Sequence, residues 1–450
     1  MKFVENMKNL FEAVVLDSAS EEIKAFRKNV FNRFVQLGLP THKNEEWKYT
    51  NLSFLNDIDF VASNVSIDAK GSNLLLESNH LVSSLLDESI VFPIVNGNLI
   101  IDKSNFDVGS NLLEVRKTFV NETFSKFLNH FNLFYDDTNP FAFLNLAFSS
   151  DGISIHIPQN VAIEKPIVLL YDYNNSQPSV SNSLTFIEVG DNSSVKIILL
   201  FSKGAGEVIL GNETVNILQK NGSEVEVNIV QYDLSNLKLI NNLNVMLESN
   251  SIFKGNSFSL NTEFVRNNLN IAFQGPYSSA NLNGIYYCDT NNFVDDHTLI
   301  MHNVPNCQSD ENFRGILDGK GRAVFNGKIF VARDAQKTNA YQSNKNLILS
   351  DEARINTKPQ LEIYADDVKC THGATAGFLD KEMLFYIISR GIGKEKAKSL
   401  LLNSFVSGNL EKIEIASLRD YLKEIIAKKL HLEDIFFCSA LDMELIKTSE

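Results

Sequence analysis

Cysteine is scarce. Four occur in 450 residues, at positions 288, 307, 370 and 438, and no two share a C-x-x-C spacing. That argues against a disulfide framework at this chain length. No run approaches the roughly 20 apolar residues of a membrane span. The opening "MKFVENMKNLFEAVVLDSAS" is broken by Glu5, Lys8 and Glu12 where a signal peptide needs continuous apolar sequence. The expectation is a reduced, cytoplasmic compartment, with no membrane partner. Positive charge is also in short supply, with 41 Lys and Arg against 55 Asp and Glu and a formal net charge of -14. Nucleic acid is therefore not an expected partner, because phosphate binding needs clustered cations. Catalytic signatures are missing too: no G-x-x-x-x-G-K-[ST], no G-x-G-x-x-G after a strand, no G-x-S-x-G and no H-E-x-x-H. The glycines and lysines of "SRGIGKEKAKS" lack P-loop spacing, so this chain is expected to bind no nucleotide. No carboxylate pair stands out as a general acid and base, and the reading is of a non-enzyme.

What is present divides into three zones. In the first, residues 1–150, "SASEEIKAFRKNVFNRFVQLG" repeats Ile23, Phe26, Val30, Phe34 and Leu37 at helical spacing. Ser18 and Glu21 are placed to form a capping box, and Gly38 to stop the helix. Trp47, the only tryptophan, reads as a packing anchor. "FVNETFSKFLNHF" reads as a further helix. In the second zone, residues 151–378, helical periodicity gives way to short alternating runs. Ile153, Ile155 and Ile157 form one; Val195, Ile197, Leu199 and Phe201 another; Val225, Val227 and Ile229 a third; Leu269, Ile271 and Phe273 a fourth. Each puts apolar residues on one strand face. Over 200 residues of short strands without helices means a sandwich, a barrel or a solenoid. Steady spacing and abundant Asn between the runs favour a β-solenoid, although no strict repeat is visible. The third zone, residues 379–450, returns to helix. Leu384, Ile387 and Ile388 form one stripe; Ala397, Leu400, Leu401 and Phe405 form a second. A third helix, capped by Ser417 and Asp420, carries Leu418, Tyr421, Leu422, Ile425 and Ile426. This zone either caps the β-domain or docks a protein partner.

Three groupings of His and Cys could carry chemistry. In "DDHTLIMHNVPNC", His297 and His302 are five apart, an odd offset that puts them on opposite faces of one strand and argues against a metal shared with Cys307. His156 opposes the apolar face of its strand and is expected to meet solvent. Cys288 and Cys438 read as small buried hydrophobes. Cys370 and His372, in "VKCTHGATAG", differ: an i, i+2 offset on an extended segment puts both on one face. Thiolate suits zinc or iron–sulfur chemistry, and neutral imidazole suits zinc, copper and iron. Two donors cannot fill a tetrahedral shell, so a metal site here needs ligands from elsewhere, including another chain. The alternative is a buried cysteine and a hydrogen-bonded histidine closing the last strand.

Residues 266–405 resemble the core of the SufB/SufD family of iron–sulfur cluster assembly proteins. The resemblance is carried by "LNGIYYC", "DDHTLIMH", "FRGILDGKGRAVFNGKIFVARDAQKTNAYQSNKNLILS", "INTKPQLEIYADDVKCTHGATAG" and "LFYIISRGI". "GLPTHKNEEWKYTNL" resembles the SufD branch. SufB-type chains carry a "HEAT"-like segment where this one reads "HGAT", with Gly373 in place of the glutamate, and they carry an upstream cysteine absent from "NTKPQLEIYADD". The resemblance implies a right-handed parallel β-helix between N-terminal and C-terminal helical regions. It also implies pairing with a SufB-like paralogue, a homodimer when the chain is isolated, and a SufC-like ABC ATPase docked on the C-terminal helices. His372 matches the family histidine implicated in building a nascent cluster or holding iron at the SufB–SufD interface, with Cys370 as its neighbour. Three alternatives stay open. The first is a SufB-like scaffold holding cluster alone. The second is a polysaccharide-active enzyme on a β-helix. The third is a scaffold in which Cys370 and His372 are purely structural.

Overall fold

The computed structural model describes residues 2–14, 20–63, 80–100, 112–119, 123–125, 127–128, 138–150, 152–203 and 206–430. Two parallel ladders face each other along most of its length. One stacks β2 (Ile90–Val95), β6 (Ile167–Tyr173), β8 (Ser194–Lys203), the first halves of β10 (Glu224–Leu247) and β11 (Ile252–Phe273), β12 (Ser279–Cys288), β14 (Gln308–Leu317), β16 (Asn339–Ile348) and β18 (Lys369–Gly377). The other begins with β1 (Val61–Ala62) and β5 (Ile153–Ile157), both on β7 (Ser179–Val189). It continues through β9 (Ile209–Gln219), the second halves of β10 and β11, β13 (Phe293–His302), β15 (Arg322–Val331) and β17 (Arg354–Ile363). Among the described residues, only β3 (Asn98–Leu99) on β2 and β4 (Glu114–Arg116) on β5 pair antiparallel. The chain returns to the same place every 27 to 31 residues, as Ser194, Glu224, Ile252, Ser279, Gln308, Asn339 and Lys369 fall in register. This is a parallel β-solenoid, and its uneven coil length is why no strict repeat shows in the sequence.

Asparagine has two jobs in this fold. At one corner of successive coils, Asn160, Asn192, Gly222 and Asn250 all take positive φ, and each donates its N–H to a carbonyl of the next coil. Glycine and asparagine tolerate that conformation best. Inside the strands, Asn283 donates to Asn256 at 3.3 Å and Asn256 to Asn228 at 3.0 Å; Asn270 and Asn244 continue onto Asn216 in the same way. Each buried amide is thus paired with the coil beside it, as burial of a polar group demands.

Strand alternation sorts the apolar residues into separate cores. Val195, Ile197, Leu199 and Phe201 fill the space between the ladders with Ile153, Ile155 and Ile157, whereas Ile198 and Leu200 face outward. Those outward residues are covered by the helices Lys394–Leu410 and Ala416–Lys429. The outer face of the other ladder, including Leu184, Phe186 and Ile240, is covered by Lys2–Val14, Glu21–Leu37 and Pro140–Phe148. Strands buried on both faces therefore read as runs such as "IILLF". No helix among the described residues is long and apolar enough to cross a membrane.

Several local expectations change. The helix Glu21–Leu37 is capped by Ser20, whose hydroxyl accepts from Ile23 N, while Ser18 lies outside the described residues. Gly38 ends that helix at φ 68°, its N–H on the Phe34 carbonyl. Residues 123–125 and 127–128 of "FVNETFSKFLNHF" are helical and the rest of that run is not wholly described. Ala416–Lys429 begins after Ile415 with no side-chain cap, so Ser417 and Asp420 sit inside it; its five named apolar residues are all buried. Lys394–Leu410 buries Ala397, Leu402, Val406 and Leu410, leaving Leu400, Leu401 and Phe405 half-buried. Lys381–Ser389 buries nothing completely, and Leu384, Ile387 and Ile388 are half-buried among the described residues.

Candidate functional site

β18 is the last strand of its ladder, bonded to β16 on one side and to no strand on the other among the described residues. The register puts Cys370 over Ala340 and His372 over Gln342. Ala340 and Gln342 are both buried, so Cys370 and His372 continue two lumen-facing columns to the open end of the solenoid. The i, i+2 reading holds in that both side chains share a face. They differ in setting. Cys370 is half-buried against Ile329, Val331 and Ala340, and burial pushes its thiol pKa up, a shift only partly offset by a hydrogen bond from the Ala340 backbone. His372 is exposed. Among the described residues, no group of three His, Cys, Asp or Glu side chains could hold a metal ion. Asp367 is engaged by Lys337, and Asp366 is exposed. One thiol and one imidazole are therefore what this end supplies, half of a four-coordinate shell.

Beneath His372 the column turns polar and closed. Gln342 donates its Nε2 to Glu311 Oε2 on β14. Both residues are fully buried, and burial pushes the Glu311 carboxyl up to about 7 despite Gln342 and Thr298. Gly327 on the facing ladder leaves room for this amide, since a Cβ there would stand 2.3 Å from Gln342 Nε2. Aromatics are exposed next to the last two strands and on the helix that follows: Tyr364 and Phe378, and Phe385 and Tyr386 of Lys381–Ser389, are all more than half exposed.

The other His and Cys groupings are structural. His302 faces the lumen, its ring 4.6 Å from Phe273 and its Nε2 2.9 Å from Ser309 Oγ, and burial pushes its pKa down to about 4. Cys307 is buried with its thiol 3.5 Å from the Gly275 carbonyl, and burial raises the Cys288 thiol far above its usual range. His297 faces the other way, 2.9 Å from Asp295 and 3.4 Å from Glu46, so the opposite-face expectation holds. His156 is partly exposed beside Glu188 at 3.7 Å. Cys438 lies outside the described residues.

A clamp around Trp47 escapes sequence reasoning. The Arg266 guanidinium lies 3.7 Å over the Trp47 ring, donates to Asp295 at 2.7 Å and reaches the Glu46 carbonyl at 2.8 Å. Thr50 donates to the same Asp295, and Lys358 of β17 pairs with Glu45. The "EEWKYT" segment is thus fastened to β11, β13 and β17. Coil spacing is the signal that could have found it: Arg266 and Asp295 are one coil apart and in register.

Comparisons with known proteins bear on the whole chain. Residues 171–405 match the SufBD core domain of the SUF iron–sulfur cluster assembly system, and residues 1–169 match the SufBD N-terminal region. An iron–sulfur cluster assembly SufBD family protein of Synechocystis is 29% identical, over 87% of each chain. The iron–sulfur cluster assembly protein SufD of Escherichia coli is 28% identical, over 88% of this chain and 91% of its own. A chloroplastic protein of Arabidopsis thaliana is 25% identical over 90% and 85% respectively. With the solenoid, its flanking helices and matches over most of the chain agreeing, this chain belongs to the SufBD family of iron–sulfur cluster assembly proteins and is SufD-like.

Proposed function

We propose that this chain is a non-catalytic SufD-type scaffold subunit that pairs with a SufB-like paralogue and shares with it a site where a nascent cluster or iron is held. The observation that carries this is the end of the solenoid. The candidate donors Cys370 and His372 stand on an edge strand with one neighbour, beside exposed aromatics, and no group of three metal-ligating side chains forms there among the described residues. An open edge is a template for another strand. A cluster held by ligands split between chains is released by separating them, whereas four thiolates of one chain would hold it firmly. Here the iron–sulfur unit is cargo. His372, being exposed, is the donor that can reach across the seam; Cys370 is the weaker candidate because burial disfavours its thiolate.

The nucleotide step belongs to a SufC-like ABC ATPase docked through the C-terminal helices. This rests on family membership and the missing P-loop. ATP-driven closure of two such subunits would pull on the helical ends and open the seam. In isolation the same edge lends itself to a homodimer. A cytoplasmic setting suits the buried free thiols Cys288 and Cys307. The test is co-purification with SufB-like and SufC-like partners, followed by iron and sulfide analysis of wild type and His372→Ala. Loss of cluster with the complex intact supports the shared site. Unaltered cluster content makes Cys370 and His372 structural. Durable cluster on the isolated chain would favour a SufB-like scaffold.

A further inference from the structure

We propose that Gln342 is a positioning residue for His372, fixing which ring nitrogen carries the proton, and that Glu311 anchors Gln342 for that task. The consequence for cluster assembly rests on the reading above; the hydrogen bond itself does not.

Three residues from successive coils of one ladder stand in one column. Glu311 is paired with Gln342, and Gln342 with His372. In-register neighbours on adjacent strands stand about 4.8 Å apart, within side-chain reach. The lower pair is closed to water, and one hydrogen bond orients it: Gln342 Nε2 donates to Glu311 Oε2. That bond turns the other end of the carboxamide away from Glu311 Oε2. Gln342 Oε1 is a buried acceptor with no partner, and so is Glu311 Oε1. A buried acceptor left unpaired costs on the order of 1–3 kcal/mol, so a well-packed site at such a position calls for a donor.

Two donors are at hand. A protonated Glu311 can give its hydroxyl proton to Gln342 Oε1, closing an acid–amide ring that satisfies both orphan atoms. A carbonyl oxygen has a second lone pair. The side chain next along the column is His372, exposed and free to rotate, and its ring N–H is the donor that lone pair lacks. Leu282 lies beneath Glu311 in the same column, and the buried Thr298 hydroxyl of the facing ladder acts on Glu311, leaving Gln342 Oε1 without a partner among the described residues. Gly327 keeps the amide's space open from the opposite ladder. An imidazole that donates one N–H to a fixed acceptor offers its other nitrogen in a defined direction, the usual support of a ligating histidine. Here the acceptor is a neutral amide in a dry wall, and the free nitrogen points to the open end.

The experiment uses the full chain, labelled with 15N-histidine, at about pH 8.5, where imidazoles are mostly neutral. His372→Asn identifies the His372 signals among the eight histidines. In the wild type the ring nitrogens should report one dominant tautomer, with the bonded N–H exchanging slowly with water. Gln342→Leu should return the ring to the mixture of a freely exposed imidazole. Glu311→Gln, which still accepts from Gln342 Nε2, should keep the bias. An unbiased wild-type ring with fast N–H exchange overturns the proposal, whatever the variants do and even if Gln342→Leu fails to fold. So does a ratio unmoved in a folded Gln342→Leu protein. No iron or partner is needed, so this result is separate from the outcome of His372→Ala in assembly. A bias present in a chain whose His372 proves dispensable would keep this inference and sink only the shared-site reading.

Discussion

Asp295 and Asp296 are adjacent and chemically identical, yet the strand sends them to opposite faces and opposite ionisation. Asp295 faces the Trp47 clamp. Burial alone would raise its pKa, but His297, Arg266 and Thr50 hold it down to about 2. Asp296 faces the lumen with Asn267, and burial pushes it up to about 7. Asp295→Asn leaves the buried Arg266 charge unpaired, and breaking such a pair costs about 3–5 kcal/mol. A marked fall in the midpoint of thermal unfolding is the expected result. The wild-type contribution should be full above the unfolded aspartate value of about 3.8 and fade as pH falls towards 2. Glu311 has the opposite sign. Its folded pKa, about 7, lies above its ordinary 4.5, so its contribution is intact below about 4.5 and is lost as pH rises through 7. Replacing it with an amide removes that loss and preserves the bond to Gln342. Glu311→Gln should therefore leave stability at pH 5 nearly unchanged. At pH 8.5 it should raise it, by at most about 3 kcal/mol for a shift of that size. Thermal melts at both pH values check this; equal effects at both would mean Glu311 does not titrate in this range.

At the scale of elements, alternation was the most readable signal. The run Ile153, Ile155, Ile157 predicts β5, whose residues alternate between buried and half-buried as expected. The pattern could not say which strands pair, because pairing depends on coils of 27 to 31 residues whose length drifts. The Arg266–Asp295 contact and the Glu311–Gln342–His372 column were hidden for that reason. Helix periodicity told which segments are helical but not where each cap falls. Ser20, Ser417 and Asp420 all have capping chemistry, and only the turn of the chain decides which one uses it. The stripe on Lys381–Ser389 was legible as apolar, but not that it is only half-buried among the described residues, since the same spacing suits a face fully packed in the core. β18 permits a direct test of a partner at its open edge. Lys369 N–H bonds the carbonyl of Thr338, the residue just before β16. Parallel strands alternate direction, so the N–H groups of residues 370, 372, 374 and 376 point to the open side. Ala374→Pro removes one outward donor and no inward one. The variant should stay folded by circular dichroism yet lose SufB-like partner and homodimer in pull-down and sedimentation. Retention of both would mean the edge is not the joint.

Across the whole molecule, burial runs down along the solenoid axis towards the site. β9 is buried at every position, β17 is partly buried, and most of β18 is exposed. The N-terminal and C-terminal helices cover the outer faces of the earlier coils, whereas the last coil adds only Ala353 and Ile355 to the edge of the main core and, among its described residues, otherwise packs Leu361, Ala365 and Cys370 against Ile329, Val331 and Ala340. Repeat proteins are stabilised mainly by contacts between neighbouring repeats, so a terminal coil with one neighbour is the least held. Local opening follows the same gradient. Amides of 369–377 should therefore exchange with deuterium far faster than those of 209–219 in the dilute chain. Protection at β18 should rise with protein concentration if the edge pairs with a second copy, and rise further with a SufB-like partner, while β9 stays unchanged in both. A β18 already as protected as β9 at high dilution would mean the last coil needs no companion. That outcome would remove the physical reason for placing shared ligands on it.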